Sequence, residues 1–243
     1  MASAERKRWL ASCLAPWWAG EAEVARAHFA RGLPLAGQLG WLRAQAYKEA
    51  RVVRELPPGP RATLVRTGRL SDGDRDPCAR RKIEQEFAHF SLLAALLRDF
   101  AGERFGVEDR VDLPADRRLQ DARARHRRRG GLEAAVAELT EGGGGALYVE
   151  LARLDGDDFR RRVAAAFRVI GRDELDHGPA AIHAVAHAAR DDQDWERAGR
   201  IVEALSRQRL LMRNEMFGEP LGPARLREIA AGEIEPWPFP IPL

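Results

Sequence analysis

Apolar residues recur at three- and four-residue steps through most of the 243-residue chain, and β-branched runs with period two are absent. Ala, Leu, Arg and Glu fill the long segments, a composition that favours helix. Gly and Pro clusters punctuate them at "RGLPLAG" (31–37), "LPPGP" (56–60), "SDGDRDP" (71–77), "RRGG" (from 129) and "LDGDD" (154–158). The pattern predicts an all-α fold with helices near 21–31, 35–55, 78–101, 131–154, 157–189 and 193–217. The segment from "LPPGP" to "SDGDRDP" reads as a long connection. "IEPWPFPIPL" at the end alternates Pro with Trp237, Phe239 and Ile241 and reads as an extended arm, 233–243, that packs over the helices or onto a second subunit.

The helix faces carry an anomaly. In 35–55 the inward stripe runs Leu35, Leu39, Leu42, Ala46, Glu49, Val53, and in 78–101 it runs Ile83, Glu86, Phe90, Leu93, Leu97, Phe100. In 157–189 it runs Val163, Phe167, Ile170, Glu174, His177, Ala181, Ala184. Three carboxylates therefore occupy core positions. Each needs a proton or a cation, because burying an unpaired carboxylate costs several kcal/mol. Inward Lys and Arg residues are too few to pair them all, whereas one shared metal centre neutralises the whole set.

Two of these carboxylates belong to a repeated motif. "EQEFAHF" places Glu86 three residues before His89, and "RDELDHG" places Glu174 three residues before His177. On a helix that spacing aims a carboxylate and an imidazole at one point. A pair of such motifs on separate helices, completed by one Glu from each of two further helices, is the arrangement of di-iron carboxylate bundles. On Glu49, "EFAH" (86–89), "TEGGGG" (140–145) and "DELDH" (173–177), the chain resembles the ferritin-like di-iron carboxylate superfamily over residues 35 to about 190.

The resemblance implies a four-helix bundle with additional N- and C-terminal helices, forming one domain over 1–243 with the extra helix at 193–217. It also implies two iron ions, with manganese an alternative, held by Glu49, Glu86, His89, Glu141, Glu174 and His177. For the third helix Glu138, Glu141 and Glu150 compete. Facing ligands should lie at similar distances from the "LDGDD" turn; Glu174 is about 24 Å beyond it, Glu141 about 20 Å before it and Glu150 only about 6 Å before it. Glu138 fits the level too. The glycines Gly142, Gly143, Gly144 and Gly145 favour Glu141, since they open space beside a ligand at about 1 kcal/mol each in helix stability. A plain helix break at 142–145 is the other reading. On the first helix Glu49 competes with Glu55, which lies at the helix end and off the stripe.

The family commonly has an Asp before this Glu, so Asp173 is expected to orient a ligating His, with Gln85 at the corresponding place on the second helix. Tyr148 lies two turns beyond Glu141, either beside the substrate pocket or packed in the core. His183 and His187 read as solvated, as do His28 and His126.

Composition limits the alternatives. No apolar run approaches the 18–20 residues of a membrane span, and a cytoplasmic location is the expectation. Cys13 and Cys78, the only cysteines, exclude a rubredoxin-type centre or a disulfide framework and read as buried thiols. The net charge of +3 is small against 40 basic residues, but "RARHRRRGG" concentrates Arg123 to Arg129 in one cluster. It reads as a solvated crossover, with a carrier protein or tRNA as the other reading. The expected function is a non-haem oxygenase or oxidase using O2 and an external reductase or ferredoxin on a small organic substrate, with hydroxylation, N-oxygenation, desaturation and carbon–carbon cleavage all open. A tRNA-modifying hydroxylase, a ferroxidase or peroxide scavenger, and a homodimeric state are the alternatives carried forward.

Overall fold

The computed structural model describes residues 3–71, 73, 76–140, 144–174 and 177–238, without the side chains of 3, 144 and 177–180. Among the described residues every regular element is an α-helix: α1 (Ser3–Ala30), α2 (Leu35–Glu49), α3 (Arg51–Arg54), α4 (Pro58–Thr67), α5 (Pro77–Ala101), α6 (Pro114–Arg127), α7 (Gly131–Leu139), α8 (Gly144–Ala152), α9 (Asp158–Glu174), α10 (His177–Ala188), α11 (Asp192–Met216) and α12 (Pro223–Ala230). None of these helices is long and apolar enough to cross a membrane. The backbone gathers into two compact units. The first comprises Met1–Gly32, Leu113–Asp155 and Phe167–Leu243; the second comprises Leu33–Asp112 and Gly156–Ala166.

Several helices are longer or more numerous than the periodicity predicts, and proline explains most of the difference. Pro58, Pro77, Pro114 and Pro223 stand in the first turns of α4, α5, α6 and α12. There the missing N–H is not needed and the fixed φ suits a helix. The stretch read as a long connection therefore contains α4, closed by Gly68 in the left-handed conformation at φ 74° and anchored by the fully buried Leu64. The arginine-rich crossover is the end of α6, not a loop. At the N-terminus α1 runs through Pro16 and Gly20 and extends well before the helix predicted near 21–31. A Cβ on Gly20 would approach Ile229 to 3.0 Å and Leu210 to 3.2 Å, so its absence lets α1 lie close to α11 and α12. Trp9, also on α1, packs against Gly199 of α11, where a Cβ would meet the indole at 2.5 Å.

In the first unit α11 packs against α1, α6 and α7, while α1 also lies along α8. Asp191 caps α11 by accepting from the Asp194 N–H at 2.9 Å. The core gathers Leu10, Leu14 and Trp18 of α1 with Val136, Ile182, Val185 and Val202. On α10 it is Ile182 and Val185 that are buried; the expected inward Ala184 is exposed. Charge is closed into this core as well. Glu21, 1% exposed, accepts from Arg209 Nε at 2.7 Å and Arg213 Nε at 3.2 Å. Two of the buried arginines, Arg209 and Arg213, are thus spent on α1. His28, expected in solvent, is buried: its Nδ1 donates to the Phe217 carbonyl at 2.8 Å, with edge-on contacts to Phe29 and Phe217. The arm returns to the fold at Trp237, whose N–H donates to Ala15 O at 3.1 Å, and the indole packs on the core.

In the second unit α2 lies along α5, with α3 and α4 against the same helix. Asp76 caps α5 by accepting from the N–H groups of Cys78 and Ala79, and Gly102 ends it at φ 64°. The predicted helix 35–55 is present as α2 and α3, interrupted at Ala50. Its stripe is inward from Leu39 to Val53, but Leu35 at the N-terminal end is 40% exposed. Val53, Leu56, Leu64, Leu70 and Ile83 form a small core of their own.

The Glu21 cluster makes a stability prediction. Glu21→Leu leaves two guanidinium groups buried without their carboxylate and should cost about 3–5 kcal/mol in urea unfolding at neutral pH. Adding Arg209→Met and Arg213→Met to it should recover most of that loss. A single variant as stable as the wild type would mean that the arginines find other partners.

Candidate metal centre

Glu49 is the last residue of α2, on the face that lies along α5, and is 4% exposed. Glu86 and His89 leave α5 one turn apart on the side that also carries Ile83, Phe90 and Leu93. Glu86 is half-buried and His89 is 2% exposed. One ligand atom from each of Glu49, Glu86 and His89 lies within 4.8 Å of the other two. His89 Nδ1 is 3.8 Å from Glu49 Oε2. Among the described residues these are the ones that gather as a metal-ligating group.

Gln45, one turn before Glu49 and fully buried, donates its side-chain amide to Glu49 Oε1 in a short contact. The sequence reading passed over it, although the i, i+4 spacing on one helix puts an amide donor beside the carboxylate. Burial pushes the Glu49 carboxyl up. The His89 ring, the charge of Lys48 and the neighbouring Glu86 outweigh it and hold the group well below the usual carboxylate range. Two carboxyls so close share a proton unless a cation takes its place.

The donor set fits a metal ion. It offers carboxylate oxygens and an imidazole nitrogen, hard and borderline ligands suited to iron, manganese or zinc. Two donors bound at about 2.1 Å to one ion are at most about 4.2 Å apart, so the group needs only small side-chain adjustments to close on one. Gln45 would then hold the carboxylate in orientation from behind.

Of the other expected ligands, Glu174 belongs to the first unit. Glu174 ends α9 and is half-buried, as is Asp173 beside it. Glu141, Gly142, Gly143 and the side chains of Gly144 and His177 lie outside the described residues; Gly144 opens α8 and Gly145 is buried. The competitors of Glu141 are otherwise engaged. Glu138 is exposed and pairs with Arg127 at 2.7 Å, and Glu150 pairs with Arg26 at 2.9 Å. Glu55 is exposed, and Gln85 is half-buried on α5. Tyr148 is packed in the core, its ring 5.5 Å from that of Phe167 and 5.9 Å from the Arg213 guanidinium.

The arginine cluster divides in two. Arg123 is 3% exposed and donates to Thr140 O at 3.1 Å, tying α6 to the end of α7. Arg125, Arg128 and Arg129 are exposed. His126 is partly buried, and burial with the charges of Arg129 and Arg125 pushes its pKa down. Cys13 is half-buried and Cys78 is exposed, both as free thiols.

No protein-family model, no curated protein and no solved structure matches this chain.

Metal binding should be visible as stability. After treatment with a chelator, Mn(II) at about a hundred times its Kd should raise the wild-type melting temperature by roughly 5–10 °C. The rise should vanish in Glu49→Gln and His89→Ala and shrink in Gln45→Leu. A wild-type melting curve indifferent to Mn(II), Fe(II) and Zn(II) would remove the metal from this site.

Proposed function

We propose that the chain is a non-haem di-iron oxidase or oxygenase acting on a small organic substrate, built on a ferritin-like bundle. The observation that carries the reading is the convergence of Glu49, Glu86 and His89 from two packed helices at a buried point. The duplicated Glu-x-x-His of the sequence supplies Glu174 and His177, with Glu141, as the remaining ligands. Two ferrous ions held there would supply a pair of electrons for the reduction of O2.

The residues of the chain then have separable roles. Glu49 and Glu86 hold negative charge where the apolar stripe would otherwise continue, and so provide the charge that retains a cation. His89 presents an imidazole nitrogen as a ligand, fixed by the packing around it. Gln45 donates to Glu49 and limits the directions its carboxylate can take. Burial of Glu49 and His89 keeps bulk water from these two side chains, which strengthens the charge interactions they make. Electrons come from an external reductase or ferredoxin, since two free cysteines cannot build an iron–sulfur module.

Anaerobic Fe(II) titration of the full chain decides the stoichiometry: two ions per chain are expected, with consumption of O2 on exposure to air. Glu86→Gln and Glu174→Gln should each lower iron binding and O2 uptake at least about tenfold, with helicity unchanged by circular dichroism. One ion that is lost in Glu86→Gln and kept in Glu174→Gln would reduce the centre to Glu49, Glu86 and His89. No bound iron would end the proposal.

A further inference from the structure

On the first unit, α1, α10 and the returning arm line a half-open cavity of about 350 Å³. That volume lies within the range of small-molecule sites. Its floor is apolar, formed by Ala11 and Ile182 with the indole of Trp237, and its edge carries Lys7, Arg8 and His183. Lys7 Nζ lies 3.0 Å from His183 Nδ1, which holds the ammonium group at the mouth. Arg6, the next cation along α1, is spent in an ion pair with Asp192. Among the described residues neither Lys7 nor Arg8 has a carboxylate partner, so two full positive charges border the cavity uncompensated. The indole Nε1 of Trp237 is a buried donor with no hydrogen-bond partner among those residues. A half-open apolar cavity with two cations at its edge is complementary to a molecule with an apolar body and one anionic head.

We propose that this cavity binds a small amphipathic organic carboxylate. Its hydrocarbon part rests on Trp237, Ala11 and Ile182, and its carboxylate accepts from Lys7 and Arg8. The charge-assisted contacts set the orientation, because carboxylate bonds to ammonium and guanidinium groups are roughly twice as strong as neutral ones. The arm takes part in recognition, since Trp237 is brought to the cavity by its backbone bond to Ala15. None of these residues belongs to the proposed metal centre, so the site stands whether or not that centre holds iron.

Calorimetric titration of the full chain with octanoate, octan-1-ol and octylammonium tests the proposal. Octanoate should bind saturably, one per chain, at least about tenfold more tightly than the alcohol, and octylammonium should bind more weakly still. Lys7→Gln with Arg8→Gln changes side chains at the cavity edge and not the core; it should reduce octanoate to the affinity of the alcohol. Trp237→Ala should weaken acid and alcohol alike. Absence of saturable octanoate binding up to about 1 mM would overturn the site. Equal affinity for acid and alcohol in the wild type, or octanoate affinity unaffected by the double substitution, would overturn the role assigned to the cations.

Discussion

A carboxylate enclosed in a helical core must meet a cation or enough donors, because water no longer solvates it. The molecule faces this demand in each of its two units and answers it differently. In the first, Glu21 on α1 is met by Arg209 and Arg213 from α11, charges that the chain itself carries. In the second, Glu49 is met by the amide of Gln45, the ring of His89 and a second carboxylate, Glu86. The first arrangement is closed by protein charge. The second brings two carboxylates and an imidazole together at a point where a metal ion could bind.

The same constraint explains why the local helix chemistry matters for the site. α5 presents Glu86 and His89 at the right level because Asp76 and Pro77 set its start and Gly102 its end. α2 reaches Glu49 as its last residue, and the interruption at Ala50 lies immediately beyond it. Glu49 and Gln45 thus share a final, well-packed turn, and a substitution loosening that turn would act on the site without touching a ligand.

Charge also separates the surfaces with different prospects. Arg123, Arg6 and Arg127 are committed to Thr140, Asp192 and Glu138, so these charges are already used within the fold. Lys7 and Arg8 border an apolar cavity, a setting in which one anionic group gains far more than on an open basic face.

Periodicity alone determined that the chain is helical, that α5 spans nearly the predicted residues, and that Glu49 and Glu86 interrupt apolar stripes. These are properties of one helix at a time, and a 3.6-residue period reports them directly. It did not separate a proline that ends a helix from one that begins it, so α4, α6 and α12 were missed; the two cases look alike until the chain on either side is placed. Nor did it show that His28 is buried, because its partner Phe217 lies 189 residues away, or that Arg123 serves Thr140 and not solvent. The facing of α2 and α5 decided that Glu49 meets Glu86 and His89, since helix packing joins residues that no local pattern relates.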